Sequence, residues 1–353
     1  MNKDELEQLM IPSIDETIYM QVKQRCDRLL KPIDGLGRFE HFFAQIGAIL
    51  QTTSFSLSQK RILVMCADNG IVEEGVSQSG KEVTRTVAKA MGENQSSVGK
   101  MASVIGVKVC PIDVGIDCSD TLDGVLNCKV SRGTCNFLKE PAMTEEETMQ
   151  AISVGIQQVR ECKNSGCTLI GTGEMGIGNT TTSTAVAAAL LDLDVYAVSG
   201  RGAGLDDASL AKKAHVIAQA IDKYNLLEKD AFTILQTVGG LDIAALTGVF
   251  IGGALYRLPV IIDGVISAVA ALVAEKLCKG VKAYMLPSHK SREKLFTEVM
   301  KELAIEPVID ADMALGEGTG VVMMMSLLDM AMAVYQNGST FEEQEMEQYK
   351  RYY

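Results

Sequence analysis

Three glycine-rich stretches hold most of the residues whose types and spacing could do chemistry. The first runs Gly173-Glu174-Met175-Gly176-Ile177-Gly178-Asn179-Thr180-Thr181-Thr182, after an apolar run and at the opening of a helical pattern. Glycine lets backbone approach a ligand closely, and the free N–H groups of a helix start, helped by Thr hydroxyls, suit a phosphate. The stretch is not a Walker A loop, because no Gly-Lys-Ser/Thr follows, and Gly173, Gly176 and Gly178 miss the G-x-G-x-x-G register. A capped structural turn is the alternative reading. The second stretch, Ser199 to Asp207 (SGRGAGLDD), leads into a helix bearing Lys212 and Lys213. One of these lysines could supply positive charge for an anion, or both could face water. The third, Leu315-Gly316-Glu317-Gly318-Thr319-Gly320, places one carboxylate just before an apolar, Met-rich helix. Partial desolvation there would raise its proton affinity toward that of a useful base. The competing reading makes Glu317 a cap on that helix, held by the helix dipole.

Other constellations carry less. Glu174 and Glu317 could form a glycosidase-like carboxylate pair, but sequence gives no separation between them. Asp68, Asp113 and Asp263 end apolar runs and could hold a metal, or each could order its own turn. Neither reading explains the glycine loops. Nine cysteines at 26, 66, 110, 118, 128, 135, 162, 167 and 278 contain no C-x-x-C, so they read as reduced structural thiols. The three histidines, His41, His215 and His289, show no H-E-x-x-H spacing, and no metal site is expected.

The elements that must position these loops alternate between strand and helix. Short β-rich runs at 61–66, 107–114, 167–170, 259–262 and 281–286 are each followed by polar residues or glycines. Open α/β sheets bind ligands at the carboxyl ends of their strands, where these clusters fall. Between the runs, Thr144 and Glu147 form a capping-box pattern that starts a helix stopped at Asn164-Ser165-Gly166, and a second helix starts near Thr180 through an Ala-rich stretch. The expected fold is α/β: a doubly wound, mainly parallel sheet with helices on both faces. Residues 1–34 and 319–353 are expected to pair as a small helical domain beside a large α/β domain of residues 35–318. The polar stretch 51–60 reads as a simple loop.

Composition sets outer bounds. With 353 residues, 47% hydrophobic, the chain can bury a large core. A formal charge of -12 without any basic cluster argues against nucleic acid as a partner. The polar, acidic N-terminus resembles no secretory signal, and the Met-rich run 321–336 is under 18 residues and interrupted by Asp329, so no membrane span and a cytoplasmic location are expected.

Taken in order, the segments resemble the nicotinate-nucleotide:dimethylbenzimidazole phosphoribosyltransferase family of the cobamide pathway. The landmarks are KPIDGLGRFE (31–40), ADNGIVEEGVSQSGKEVT (67–84), IDVGID (112–117), GEMGIGNTTT (173–182), GRGAGLDD (200–207), GGLDIAALTG (239–248), DGVISAVAAL (263–272), LPSHKSRE (286–293) and LGEGTG (315–320). The resemblance implies a homodimer acting on nicotinate mononucleotide and an aromatic base, without a cofactor. It makes Glu317 the general base. Gly176, Gly178, Asn179, Thr180, Gly202, Lys213 and Ser291 would hold the phosphate and nucleotide, and Ser79, Glu174, Met175 and Leu315 would border the base. Two departures bear on the acceptor: Asn69 stands where many members have His, and Gln78-Ser79-Gly80 replaces an aromatic-Pro pair. The acceptor expected is 5,6-dimethylbenzimidazole or a related base, with a phenolic or purine base, and a paralogous partner subunit, as the alternative. A sugar-nucleotide hydrolase and a non-catalytic nucleotide-binding subunit are the readings from other classes.

Overall fold

Apolar β-branched runs bounded by polar turns form the centre of the molecule, seen here in a computed structural model that describes residues 2–351. The strands are β1 (Lys60–Ala67), β2 (Lys108–Gly115), β3 (Leu126–Asn127), β4 (Leu169–Met175), β5 (Val260–Ile261) and β6 (Met285–Leu286). Their order across the sheet is β3-β2-β1-β4-β5-β6, and every pairing is parallel. The order reverses between β1 and β4, whose following loops diverge and leave a crevice at their carboxyl ends. Two apolar clusters cover the two faces, one including Leu63 and Met65 of β1, the other Ile62 and Val64. Alternate residues of a strand point to opposite faces, so one strand feeds both layers.

The anticipated helices are present. Glu147 N–H donates to Thr144 Oγ1 at 3.1 Å and Thr144 N–H to Glu147 Oε2 at 2.8 Å, closing the capping box that starts Glu145–Asn164. The Ala-rich helix is Asn179–Leu191, almost wholly buried.

Two strand runs differ substantially from those read in the sequence, the others only by a residue at either end. The run 281–286 is mostly a 3₁₀ turn, Val281–Tyr284, with only Met285–Leu286 in the sheet. More consequential, β4 continues through Gly171, Thr172, Gly173 and Glu174 to Met175, so part of the first glycine stretch is strand. These glycines make room for neighbours. A Cβ on Gly171 would lie 2.1 Å from Val321 Cγ1, and one on Gly173 would lie 2.6 Å from the Glu317 carbonyl oxygen.

The neighbour in question is the helix Thr319–Asn337. It is long and apolar enough to cross a membrane by composition, yet Val321, Val322, Met324, Met325 and Leu328 are buried in the cluster that includes Ile62 and Val64. Its Asp329 pairs with Lys60. The chain ends meet around this cluster. Leu29 and Thr340 form an antiparallel bridge, and Arg351 binds Asp27 at 2.8 Å and Asp34 at 2.6 Å. The carboxylates of Asp27, Asp34 and Glu40 lie together, but Arg351, Lys23 and Lys31 occupy them, so the cluster is an ion-pair clasp. All nine cysteines are free thiols, with Cys135 alone exposed among them.

Candidate active site

Five segments converge on the crevice: the loops after β4, β5 and β6, the glycine loop holding Gly202 and Ala203, and the segment 314–317 that precedes the Met-rich helix. They enclose a cavity of about 190 Å³. An adjoining chamber of about 80 Å³ shares Gly176, Ile177, Asn179, Thr180, Gly202 and Ala203 with it and adds Gly178 and Ser77-Gln78. A larger depression of about 710 Å³ lies elsewhere, lined by Lys3, Lys129, Glu145 and Met149 among others. It is a wide surface hollow, and none of the perturbed carboxylates described below lines it.

One end of the cavity is acidic. Glu174, at the end of β4, opens on the cavity but is otherwise enclosed by protein. Burial and then the neighbouring Asp242 raise its pKa to about 8, against the Asn179 hydrogen bond that lowers it. The Asn179 side-chain amide donates to Glu174 Oε2 and to Asp242 Oδ2 at 3.1 Å. Asp242 is fully buried, and burial raises it to about 6. Glu174 thus holds a proton near neutrality, which lets two carboxyl groups share one amide.

Glu317 reaches the same end from the other side. Gly316, Glu317 and Gly318 all adopt left-handed backbone, with φ of 83°, 62° and 92°. For Glu317 this costs about 1–2 kcal/mol that a glycine would not incur. The strained loop turns the carboxyl inward, where Val98 N–H, in the first turn of the helix Ser97–Val104, donates to Oε2 at 3.4 Å. Burial pushes the Glu317 pKa up, that N–H pulls it down, and the charge of Asp263 adds to the rise. Glu317 does not cap the following helix; that task falls to Asp263, whose carboxylate accepts from Gly318 N–H and Val321 N–H.

The other end is built for an anion. Gly178, at φ 94°, starts the helix Asn179–Leu191 with no side chain capping its backbone N–H groups, so those donors are open to an anion. Lys213 is fully buried and donates to Thr180 Oγ1 at 2.9 Å and to the Gly200 carbonyl at 3.1 Å. Desolvation lowers its pKa to about 8, opposed by Glu293. Its neighbour Lys212 is exposed, which resolves which of the two lysines faces inward. Gly202 packs on Thr180: a Cβ there would lie 2.9 Å from Thr180 Oγ1.

Most residues singled out in the sequence therefore come together. Glu174, Met175, Gly176, Asn179, Thr180 and Gly202 line the main cavity, as do Ser291, Leu315 and Glu317. Gly178 lines the adjoining chamber, and Lys213 sits behind Thr180. Ser79 lines neither, and its N–H is turned to Ser77 Oγ at 3.2 Å; Gln78 is the member of that turn that reaches the chamber, and its side chain bonds the Gly204 carbonyl. Asn69 is buried, its amide donating to the Ile177 carbonyl at 3.3 Å, so it braces the β4 loop. Sequence reasoning did not assign Asp242, although a lone Asp opening an otherwise apolar helix is a signal. His289 was weighed only as a zinc ligand, yet it lines the cavity.

An anion cradle at one end and carboxylates of raised proton affinity at the other suit a phosphorylated substrate whose reaction requires removal of a proton. Comparison with known proteins decides the family. The sequence model of a family described as phosphoribosyltransferase matches residues 11–346. A Clostridium acetobutylicum protein named nicotinate-nucleotide–dimethylbenzimidazole phosphoribosyltransferase is 41% identical over 340 residues, covering 96% of this chain and 97% of that protein. The chain belongs to the nicotinate-nucleotide–dimethylbenzimidazole phosphoribosyltransferase family. A relative of the same name from Ruminiclostridium cellulolyticum is 42% identical over 330 residues, covering 94% of each chain. Among solved structures, CobT from Thermus thermophilus superposes with a TM-score of 0.89 at 33% identity, covering 94% of this chain and 100% of that one. In this family member the crevice lies at the reversal of strand order, where open α/β sheets bind their ligands.

Proposed function

We propose that this enzyme transfers the 5-phosphoribosyl group of nicotinate mononucleotide to 5,6-dimethylbenzimidazole or a closely related base, giving α-ribazole 5'-phosphate and nicotinate for the lower ligand of cobalamin. The observation that carries the reading is the polarity of the cavity: Lys213 and the uncapped helix start at one end, Glu317 and Glu174 at the other.

In the proposed reaction the phosphate sits against Gly176, Gly178, Asn179, Thr180 and Gly202, with Lys213 and Ser291 beside it. One ring nitrogen of the base attacks C1′ of the ribose while the bond to the nicotinate nitrogen breaks, its electron pair returning to the pyridine ring. Glu317 takes the proton from the other ring nitrogen, relieving the positive charge that grows on the acceptor. A positioned base contributes on the order of 10²- to 10⁴-fold, and alignment of the two substrates supplies further acceleration. Glu174, Met175 and Leu315 border the base.

The same proposal includes a homodimer, a cytoplasmic location, and a small helical unit of residues 1–34 and 319–353. Met323, Met330 and Val334 are exposed on one side of Thr319–Asn337, which favours a second copy as their cover, and the free cysteines suit a reducing compartment. Supporting the small unit are the Leu29–Thr340 bridge and the Arg351 clasp.

Incubation of the protein with nicotinate mononucleotide and a panel of benzimidazoles, purines and phenols tests the reading. An α-riboside phosphate formed with dimethylbenzimidazole is expected. Nicotinate release without a base would replace the transferase with a hydrolase, and light scattering reports the oligomer.

A further inference from the structure

Asp263 lies two residues past β5 and far in sequence from Glu317, yet it is the residue whose carboxylate binds the exit of the Glu317 loop. Its side chain is 1% exposed. Oδ2 accepts from Gly318 N–H at 3.1 Å and Oδ1 from Val321 N–H at 3.2 Å. Those two amides belong to the start of Thr319–Asn337, which has no side-chain cap of its own. Asp263 is fixed in turn: its N–H donates to Ser267 Oγ at 3.2 Å, and Ser288 Oγ donates to the carbonyl of the preceding Ile262 at 2.6 Å. His289 Nδ1 lies 3.9 Å from Oδ1.

A loop of three successive left-handed residues stores strain that its surroundings must hold; Thr319 N–H and Oγ1 close it on the Gly316 carbonyl at 3.0 and 2.9 Å, and what sits at its exit fixes the direction of that closed turn and with it Glu317. Gly316 is pressed against Glu174 at the entrance, where a Cβ would lie 2.6 Å from Glu174 Oε1. At the exit only a rigid acceptor can bind both Gly318 and Val321 at once. A carboxylate does so with two oxygens, whereas an amide offers one oxygen and turns a donor toward the second N–H.

We infer that Asp263 is a positioning residue for the reaction, capping the helix Thr319–Asn337 from just past β5 and thereby locking the Gly316–Gly318 loop that aims Glu317 at the base. The inference rests on the reading of Glu317 as the general base, and the test separates the two.

Steady-state kinetics of Asp263→Asn, Glu317→Gln and the double variant form a cycle. For Asp263→Asn, kcat is expected to fall on the order of 10- to 100-fold, with the KM for nicotinate mononucleotide changed less than about threefold because the phosphate cradle lies on other loops. In the Glu317→Gln background the same change is expected to have no further effect on kcat. An equal loss in both backgrounds, or a loss appearing in KM alone, overturns the positioning role while leaving the base in place. Full activity in Glu317→Gln alone removes the base reading itself. Should Asp263→Asn not fold, amide hydrogen exchange on the unaltered protein decides: slow exchange at Gly318 and Val321 upholds the lock, and exchange at the rate of open loop amides overturns it.

Discussion

Lys213 gives the sharpest test of the anion cradle, because its burial leaves a thermodynamic mark. Without a ligand its ammonium has two neutral acceptors, Thr180 Oγ1 and the Gly200 carbonyl, and desolvation brings its pKa down to about 8. At pH 8 roughly half of the free protein then carries a neutral lysine, and one pH unit higher about nine-tenths does. A phosphate monoester is fully dianionic there, its second ionisation lying near pH 6. Placing that dianion beside Lys213 restores the charged form, so binding nicotinate mononucleotide at pH 8 takes up about half a proton, and affinity falls about fivefold over the next pH unit and about tenfold per unit beyond it. Titration calorimetry in two buffers of different ionisation enthalpy measures the uptake. Glu174 also titrates near pH 8, so the measurement is repeated in Glu174→Gln, where the uptake must persist. Lys213→Met keeps the buried volume and removes the charge; losing one charge-assisted hydrogen bond costs about 1.5–3 kcal/mol, or roughly 10- to 150-fold in kcat/KM. No proton uptake at pH 8, or an unchanged kcat/KM in Lys213→Met, would refute the cradle argument.

Three further outcomes are expected. Glu317→Gln lowers kcat by on the order of 10²- to 10⁴-fold with little change in substrate KM, and an unchanged kcat in a steady-state assay rules it out as the base. Glu174 has a folded pKa of about 8 above an ordinary value of 4.5, so the folded state holds the extra proton between them and stability drains away as pH rises from about 4.5 to about 8. Thermal unfolding of Glu174→Gln should therefore gain on the parent protein across that window, and a difference that does not vary with pH contradicts the assignment. Gly173→Ala forces a Cβ to within 2.6 Å of the Glu317 carbonyl oxygen; kcat should drop at least about tenfold while the KM for nicotinate mononucleotide holds, and normal turnover would mean that the loop tolerates being moved.

How far the sequence could lead depended on whether a signal was local. Capping at Thr144, the Ala-rich helix after Asn179 and the strand-end placement of the polar clusters follow from residues within a turn of each other, and each was readable. The two-residue strands β3, β5 and β6 are too short to impose an alternation. In β4 the Gly-Thr-Gly sequence imitates a loop, because glycines there serve an approach by Val321 and Glu317 that no neighbouring residue announces. The division of labour between Lys212 and Lys213 likewise needed the fold, since both fall on one helix and only burial separates them.

The same distinction explains why the role of Glu317 was ambiguous until its partner was seen. A carboxylate in a glycine loop before a helix fits either a base or a cap, and the two roles make opposite demands on its direction. The ambiguity ends when the cap proves to be Asp263, 55 positions from the amide of Gly318 that it accepts. With the helix start already satisfied, Glu317 is released from its own backbone and can turn across the sheet toward Val98 and the cavity. The strained φ of 62° is then the consequence of assigning capping and chemistry to different residues. A substitution that returned the cap to position 317 would relax the loop and disarm the site together.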